Sequence, residues 1–506
     1  MATKKERALE VIEEKKALLW PMSDTLWDHP ETGFHERYAA ELYGKTLEQE
    51  GFQVERELAG IPTAFSGTYG QGGPVIGFLG EFDALPGLSQ AAGADEKRPV
   101  EENGPGHGCG HNLLGVGSLA AAIALKHYLQ DSGLPGTVKF FGCPAEENGS
   151  GKGFMARDGV FNGVDIAFSW HPGEVNSVST ESTMANYQIS YRFQGVSAHA
   201  AMSPELGRSA LDALELMNVG VQFLREHVPT DTRIHYAITD TGGNAPGVVQ
   251  SHAQALYLLR AVQLPQVKEL YQRVNQIARG AAMMTGTEVE ITFIKSCSNM
   301  LINTELNQLM QRNLVEVAPV QLEEEDLELA RRIRETLGPV HSYFDTVAAE
   351  ITDPEERARV AADADSLVHR IVLPLARERQ GFVSSDVGDV SWLVPTVHLN
   401  IPTFAAGTAL HPLRAQDNLP ELNITGPKGA RAAQQVIPVH AVHPLAALER
   451  AFGIAILKMP MPCHERLVII RTEVVPVFHD VAPGDGLGDA DGRREHAVGE
   501  NILVDP

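Results

Sequence analysis

The segment GHGCGHN at residues 106–112 brings together residue types that bind transition metals. Cys109 and His111 are two positions apart, and the glycines around them let the backbone turn so that a thiolate and an imidazole can reach one metal ion. An apolar helix pattern follows, from residue 113 to residue 129. The spacing indicates a metal site at the start of a helix. The simpler alternative is a glycine-rich turn with a buried thiol.

Three further segments repeat this logic, because each is an apolar, strand-like run that stops at an acid or a histidine. They are FLGEFD (78–83), FFGCPAEE (140–147) and IAFSWH (166–171), and they end at Asp83, at Glu146 with Glu147, and at His171. Open α/β sheets build their sites at the carboxyl ends of strands. These ends, together with Cys109 and His111, predict a metallohydrolase site.

Composition narrows the function classes. A chain of 506 residues is expected to form two or more domains. Its net charge of -24 disfavours both nucleic acid and an anionic membrane surface as partners. Four scattered cysteines do not suggest a disulfide framework, and no apolar run approaches the roughly 20 residues of a membrane span. We therefore expect a cytoplasmic protein.

Strand-like and helical runs alternate through the first third of the chain, which predicts an α/β fold with a mostly parallel sheet. The pattern then changes to β-α-β-β-α-β, the order of a ferredoxin-like split unit. We predict a catalytic domain from residues 1–183 and 298–411, with an inserted domain at 184–297. Residues 412–506 are rich in Pro, His and Gly and are expected to form an atypical tail, loosely held over 480–506.

Further motifs extend the set along the chain. In order they are WDHPET (27–32), GEFDALPGLSQ (80–90), HGCGHN (107–112), PAEE (144–147), WHP (170–172), SAHAA (197–201), SSDVGDVSW (384–392) and GTALH (407–411). Together they resemble the di-metal aminoacylase and carboxypeptidase superfamily, and within it the amidohydrolases of the aminobenzoyl-glutamate hydrolase type. The likeness covers residues 8–411.

The resemblance implies a role for each matching position. It implies two divalent metal ions, Zn²⁺ first and Mn²⁺ as the alternative. The implied ligands are Cys109, His111, Glu147, His171 and His411. Glu146 would be the general base. Asp83 is expected to orient a ligand histidine, although a ligand role for it stays open.

The inserted domain is expected to act as a lid and a dimerisation unit. By the same resemblance, His199 would polarise the scissile carbonyl and Arg260 would bind a substrate carboxylate, unless Arg260 is only a solvated residue at a strand end. The family usually has an asparagine where this chain has Gly247, and Asn244 is the nearby candidate to replace it. The expected assembly is a homodimer, or a pair with a paralogous subunit.

The leading hypothesis is a metal-dependent amidohydrolase that cleaves a small N-acyl amino acid or dipeptide, aminobenzoyl-glutamate among them. A dipeptidase for β-alanyl or basic dipeptides is the second hypothesis. A non-catalytic dimerising homologue is the third.

Overall fold

The structure is a computed structural model that describes residues 4–317, 322–337 and 343–408. His411 lies outside the described residues, as does the tail 412–506 with its segment 480–506. Within the described ranges, every helix is too short or too polar to cross a membrane.

In the described ranges, three α-helices precede the first strand, four follow one another from residue 304 to residue 361, and the other five lie singly between strands. They are α1 (Lys4–Glu14), α2 (Lys16–Asp28), α3 (Arg37–Gln49), α4 (His111–Ser132), α5 (Gly151–Arg157), α6 (Ala210–Leu224), α7 (Leu264–Thr285), α8 (Thr304–Val317), α9 (Glu324–Thr336), α10 (Tyr343–Glu350), α11 (Pro354–Ala361) and α12 (Val387–Ser391).

The strands of the same ranges form a large sheet, a smaller sheet and a short two-stranded ribbon. They are β1 (Gln53–Arg56), β2 (Phe65–Gln71), β3 (Val75–Glu81), β4 (Gly136–Cys143), β5 (Ile166–Gly173), β6 (Ser177–Val178), β7 (Glu181–Ser182), β8 (Ala185–Gln194), β9 (Arg233–Asp240), β10 (His252–Ala261), β11 (Glu288–Cys297), β12 (Arg379–Gln380) and β13 (Thr396–Pro402).

The large sheet is mixed rather than mostly parallel. Its strand order is β1-β2-β4-β3-β5-β13-β6. The four central strands, β4, β3, β5 and β13, pair in parallel, whereas the β1–β2, β2–β4 and β13–β6 pairings are antiparallel. The expectation of a mostly parallel sheet therefore holds only for the centre of this sheet.

The antiparallel edge has a local cause. Only residues 57–64 join β1 to β2, which is too short for the crossover that a parallel pair requires. Two glycines interrupt the alternating pattern of β2. A Cβ at Gly67 would lie 2.8 Å from Leu47, and Gly70 has a φ of 87°. Gly67 lets the strand pack against α3, and Gly70 lets it approach the Gly136 carbonyl oxygen of β4. Both glycines hide β2 from a pattern of alternating hydrophobicity.

Helix α4 packs against the large sheet and is buried along most of its length, which explains its nearly continuous apolar sequence. It starts after Gly110 and ends just before Gly133, and both glycines have positive φ. Trp170 Nε1 donates to the carbonyl oxygen of Leu114 at 3.0 Å, which fixes the first turn of the helix to β5. The start of α4 is therefore held firmly at the sheet.

Residues 185–297, called here the inserted unit, form the smaller sheet, and the unit has its own hydrophobic core. The strand order is β11-β8-β10-β9, all antiparallel, and α6 and α7 pack on one face. The chain order of these elements is β-α-β-β-α-β, as the sequence pattern predicted. The domain boundaries at 184 and 297 stay a prediction.

Candidate metal centre

The central parallel strands deliver the candidate residues to one edge of the large sheet. β3 ends at Glu81, β4 ends at Cys143 just before the two glutamates, and β5 carries His171 near its end. Parallel strands share the edge at which their carboxyl ends lie. Helix α4 begins there with His111, just after Cys109.

The glycine-rich turn before α4 has a tightly packed backbone. A Cβ at Gly106 would lie 2.0 Å from the carbonyl oxygen of Leu88, so that only glycine fits. Gly110 has a φ of 77°, a left-handed conformation that glycine adopts at little cost. The turn buries Cys109 and His111, which are 3% and 0% exposed.

Cys109, His111 and His171 form a group whose ligand atoms lie within 4.8 Å of one another. Cys109 Sγ is 3.2 Å from His171 Nε2. His111 Nδ1 is 2.9 Å from a carboxylate oxygen, and His171 Nδ1 is 2.6 Å from the carbonyl oxygen of Pro172. A proton on each Nδ1 satisfies these oxygens and leaves Nε2 as the ligand atom. This donor set fits Zn²⁺, whose bonds to sulfur and nitrogen are about 2.3 and 2.0 Å.

Asp83 is the carboxylate beside His111, and it is 1% exposed. Its Oδ1 accepts from His111 Nδ1, and its Oδ2 accepts the backbone N–H of Glu147 at 3.0 Å. Burial works to raise the pKa of Asp83, but the hydrogen bond and charge of His111, the N–H of Glu147 and the charge of Lys152 together outweigh it, and the pKa is lowered. Because both oxygens are engaged, this geometry suits an orienting carboxylate better than a metal ligand.

A left-handed residue, Ala145, turns the chain between β4 and the two glutamates. Its φ is 57°, which costs free energy in an alanine and must be held by the surroundings. The Ala145 N–H donates to Glu36 Oε1 at 2.8 Å, and Thr63 donates to the other oxygen of Glu36 at 2.9 Å. Burial raises the pKa of Glu36 to about 8.

Glu146 and Glu147 both lie close to His111. Glu146, Glu81 and His111 have ligand atoms within 4.8 Å of one another. Glu147 Oε1 is 3.9 Å from His111 Nε2. Burial raises the pKa of Glu147 to about 8 and also raises the pKa of Glu146. A dication held here would favour the ionised forms and lower both pKa values.

Burial also affects the pKa of the Cys109 thiol. Burial raises its pKa well above the ordinary value, and the charge of Glu147 raises it further. A buried thiol becomes a thiolate when a strong positive charge lies beside it. The residues present therefore fit a bound divalent metal ion, which would supply that charge.

Comparison with known proteins agrees with this geometry. A profile of peptidase family M20/M25/M40 matches residues 77–363. One of the subunits of the p-aminobenzoyl-glutamate hydrolase of Escherichia coli (strain K12) is 45% identical over 404 residues, which are 79% of this chain and 84% of that protein. The chain belongs to peptidase family M20/M25/M40. It is a metal-dependent amidohydrolase of that family, and the resemblance read from the motifs is confirmed.

Other relatives of this M20 chain are more distant. The Xaa-Arg dipeptidase of Mus musculus is 31% identical over 300 residues, 57% of this chain and 65% of that protein. The solved structure of the Bacillus subtilis YXEP protein, a dinuclear metal-binding peptidase of the M20 family, matches with a TM-score of 0.52 at 15% identity. That match covers 88% of this chain and 98% of the other, and it supports the fold.

Sequence reasoning missed a buried ion-pair network behind the centre of this M20 enzyme. Lys152, which is 0% exposed, places Nζ 2.7 Å from Glu81 Oε1 and 2.6 Å from Asp386 Oδ1. The other oxygen of Glu81 is 3.3 Å from His111 Nε2. Burial works to lower the pKa of Lys152, but Asp386 and Glu81 outweigh it and raise the pKa well above the ordinary value. Glu81 ends a strand two residues before Asp83, a signal that could have identified it.

The inserted unit of the M20 chain carries the other candidates, and the structure does not group them with the metal ligands. His199 is exposed, and its Nδ1 accepts the backbone N–H groups of Ala201 and Met202 at 3.2 Å each. Its Nε2 is therefore the protonated nitrogen, able to donate to a carbonyl oxygen. Asn244 is also exposed, in the loop whose Gly247 carbonyl accepts the N–H of Ala200 at 3.0 Å.

Arg260 lies at the end of β10, half-buried, opposite Asn186 of β8. Arg260 Nε and Asn186 Oδ1 are buried and have no hydrogen-bond partner among the described residues. Burial lowers the pKa of Arg260, although the group stays a cation. These two side chains form a polar spot with unused hydrogen-bonding capacity. His411, the remaining predicted ligand, lies outside the described residues.

Proposed function

We propose that this M20 chain hydrolyses the amide bond of an N-acyl amino acid that ends in a glutamate-like carboxylate, with aminobenzoyl-glutamate as the leading substrate. The group formed by Cys109, His111 and His171 beside Glu146 carries the proposal. The substrate class is supported by the 45% identity to a component of a p-aminobenzoyl-glutamate hydrolase.

The proposed cofactors are two divalent metal ions, Zn²⁺ first and Mn²⁺ as the alternative. The thiol of Cys109 among imidazoles and carboxylates favours Zn²⁺ over a harder ion. Cys109, His111, Glu147 and His171 would hold the ions together with His411. The second group, with Glu81 and Glu146 beside His111, supports a site with room for more than one ion.

The bound ions would polarise the substrate carbonyl and make an attacking water more acidic. Glu146 takes the proton of that water and passes it to the amine nitrogen as the C–N bond breaks. The turn at Ala145, held by Glu36, aims Glu146 at the site. Asp83 keeps His111 in the ligand tautomer.

Residues of the inserted unit would bind the rest of the substrate. Arg260 is proposed to bind the terminal carboxylate, because its guanidinium retains a buried, unused donor. His199 would donate from Nε2 to the carbonyl oxygen of the scissile amide. Asn244 is the proposed replacement for the family asparagine. A Cβ at Gly247 itself would meet nothing within 4 Å.

The proposed assembly is a homodimer formed through the inserted unit, with a paralogous partner as the alternative. An exposed His199 supports a dimer, since its Nε2 is available to a partner's site. The alternative is supported by a different component of the Escherichia coli p-aminobenzoyl-glutamate hydrolase, which is 28% identical over 264 residues, 50% of this chain and 59% of that protein.

We also propose a cytoplasmic location. The three described cysteines form no disulfide, and one of them is a proposed thiolate ligand, which a reducing compartment protects.

A dipeptidase is the second candidate, supported by the 31% identity to an Xaa-Arg dipeptidase. The two candidates differ in the charge of the residue after the scissile bond. The cationic guanidinium of Arg260, with its unused Nε donor, favours an acidic residue and repels a basic one. Parallel assays with aminobenzoyl-glutamate and β-alanyl-lysine separate them, and faster turnover of the basic dipeptide would favour the dipeptidase.

A turnover screen of acyl-amino acids on the metal-loaded protein tests the proposal, with metal content measured by elemental analysis. Dialysis against a chelator should abolish hydrolysis, and Zn²⁺ or Mn²⁺ should restore it. E146Q is the matched control, because it keeps the side-chain volume and removes the base. Full activity in rigorously metal-free protein would refute the site assignment. No turnover by protein with metal bound would favour the non-catalytic homologue.

A further inference from the structure

The motif SSDVGDVSW, residues 384–392, has no role in the chemistry described so far. It contains α12 and is largely buried, with Asp386 0% and Asp389 3% exposed. We call this segment the linker clamp, because it contacts both chain segments that connect the inserted unit to the large sheet. Those segments, residues 182–184 and 298–301, are the lid linkers.

The clamp holds the outgoing linker through side chains. Asp389 Oδ1 accepts from the N–H of Ser298 at 3.0 Å and from its hydroxyl at 2.6 Å. Ser391 Oγ accepts from the N–H of Leu301 at 2.9 Å. Trp392 Nε1 donates to the carbonyl oxygen of Asn299, a third linker residue, at 2.8 Å.

The clamp also holds the incoming linker. Ser384 Oγ donates to the carbonyl oxygen of Met184 at 2.7 Å. Just before the clamp, the carbonyl oxygen of Val383 accepts the N–H of Met184 at 2.8 Å. The two linkers are themselves joined, since the N–H of Met300 donates to Thr183 Oγ1 at 2.9 Å. The clamp therefore fixes both points at which the inserted unit is attached.

The same segment reaches the metal centre in the other direction. Asp386 accepts from Lys152 twice, from the backbone N–H at 2.9 Å and from Nζ at 2.6 Å. Lys152 Nζ also lies 2.7 Å from Glu81 Oε1, and Glu81 Oε2 lies 3.3 Å from His111 Nε2. Through α12, buried hydrogen bonds and ion pairs thus run from the lid linkers to Glu81, whose Oε2 lies beside the ligand nitrogen of His111.

We call the series from Asp386 through Lys152 to Glu81 the relay. Its carboxylates outnumber its single ammonium group, which suits a position beside cations. Glu81 and Asp386 together carry two negative charges when ionised, and Lys152 supplies one positive charge. The surplus negative charge favours cations at the face where Glu81 meets His111. If these three residues served stability alone, apolar side chains could take their places, because buried ion pairs are weak sources of stability.

We infer that the linker clamp is a positioning device, which holds the inserted unit at a fixed orientation to the metal centre through Asp386, Lys152 and Glu81. This inference rests on the proposed function, in which Arg260 and His199 of the inserted unit meet the substrate. The clamp residues act through other groups and are positioning residues rather than catalytic ones. Loosening the clamp should misplace the substrate groups, and breaking the relay should also alter metal binding.

S298A tests the linker end of the device. It removes the hydroxyl that donates to Asp389. S118A is the matched control, since Ser118 Oγ donates to the carbonyl oxygen of Leu79 at 2.7 Å, in the core and outside the clamp. Metal content and melting temperature are measured for both variants. S298A should lower kcat/KM about fivefold, which is the effect that losing one hydrogen bond has on a rate. S118A should change stability by a similar amount and leave kcat/KM within about twofold of wild type.

K152M tests the metal end, with Co²⁺ as the probe. It should weaken Co²⁺ binding about tenfold or more and change the visible absorption of the bound ion, because Glu81 loses its anchor. K152R, which keeps the positive charge, should restore part of the Co²⁺ affinity and part of the wild-type absorption. If K152M does not fold, D386N carries the same test, because it keeps the side-chain volume and removes the carboxylate that accepts from Lys152.

The outcomes separate this inference from the proposed function. Co²⁺ affinity and spectra identical to wild type in K152M, or in D386N, would overturn the relay. Equal kcat/KM in S298A and S118A would overturn the clamp, provided that wild type turns over the substrate. A wild type without turnover would contradict the proposed function, while the Co²⁺ measurements would still decide on the relay.

Discussion

Glu146 and Glu147 are adjacent in sequence but have different surroundings. The left-handed Ala145 sets the direction of the chain before them, and the backbone N–H of Glu147 is held by Asp83. Glu146 lies near Glu81 and His111, whereas Glu147 lies against His111 and Cys109. One torsion angle and one hydrogen bond thus give two like side chains separate places at the site.

Two substitutions should separate base from ligand. E146Q is expected to keep the metal and lose about three decades of kcat, near the upper range for a general base. E147Q is expected to lose metal as well, because a neutral amide binds a dication more weakly than a carboxylate. Elemental analysis and kcat decide, and metal loss in E146Q with metal retained in E147Q would mean that the roles are reversed.

Asp389 should make stability depend on pH. Burial raises its pKa from 3.8 to about 7, although its bond from Ser298 works in the opposite direction. Between those two values the folded protein keeps a proton that the unfolded chain has released, so the free energy of unfolding falls as pH rises. The whole effect is at most about 4 kcal/mol.

D389N cannot ionise and should lack this slope, with Asp386 and Lys152 left in place beside it. Urea unfolding at several pH values between 4 and 8 gives the difference between wild type and variant. That difference should move in favour of the variant as pH rises. A constant difference across the range would mean that Asp389 is ionised throughout.

At the level of single residues, the sequence indicated the ligands because Cys109, His111 and His171 lie at the ends of recognisable elements. Lys152 could not be found in this way. It lies in a glycine-rich stretch that resembles a solvated loop. Its role depends on ion pairs with two carboxylates, one of which is 234 residues away in the sequence. Long-range ion pairs leave no local pattern.

At the level of elements, apolar runs predicted β3, β4 and β5, because buried parallel strands are continuously hydrophobic. They failed for β1, which is short and mostly exposed, and for β2, whose glycines serve packing. The helix α12 was also missed, because it has only five residues. Short or glycine-containing elements, whose sequence is set by packing against a neighbouring element, are the ones that hydrophobic periodicity does not predict.

Glycine substitutions should distinguish a packed element from an open one. A Cβ at Gly388 in α12 would lie 2.1 Å from the carbonyl oxygen of Ser298, whereas a Cβ at Gly280 in α7 would meet nothing within 4 Å. G388A should destabilise the fold by about 2 kcal/mol, as overpacking does. G280A should stabilise it by about 0.5–1 kcal/mol through helix propensity. Urea unfolding measures both, and equal shifts would show that Gly388 is not packed as described.

At the level of the whole molecule, the position of His199 gives a test of the proposed homodimer. H199A and E146Q should each be inactive alone. After mixing and refolding, about half the dimers should be mixed, each with one intact site, which restores about a quarter of wild-type activity. No recovery, with mixed dimers shown by mass spectrometry, would mean that His199 acts within its own chain or not at all.

The register of the smaller sheet has a consequence for how this enzyme could change over time. Asn186 and Cys297 are partners on neighbouring strands, so the inserted unit starts and finishes about 5 Å apart. It also keeps its own hydrophobic core. A gene segment encoding it can therefore be exchanged between homologous proteins without lengthening the host chain, provided that the residues facing the linker clamp are kept. New substrate preferences could thus arise by recombination of a whole module, with the metal-binding half left untouched.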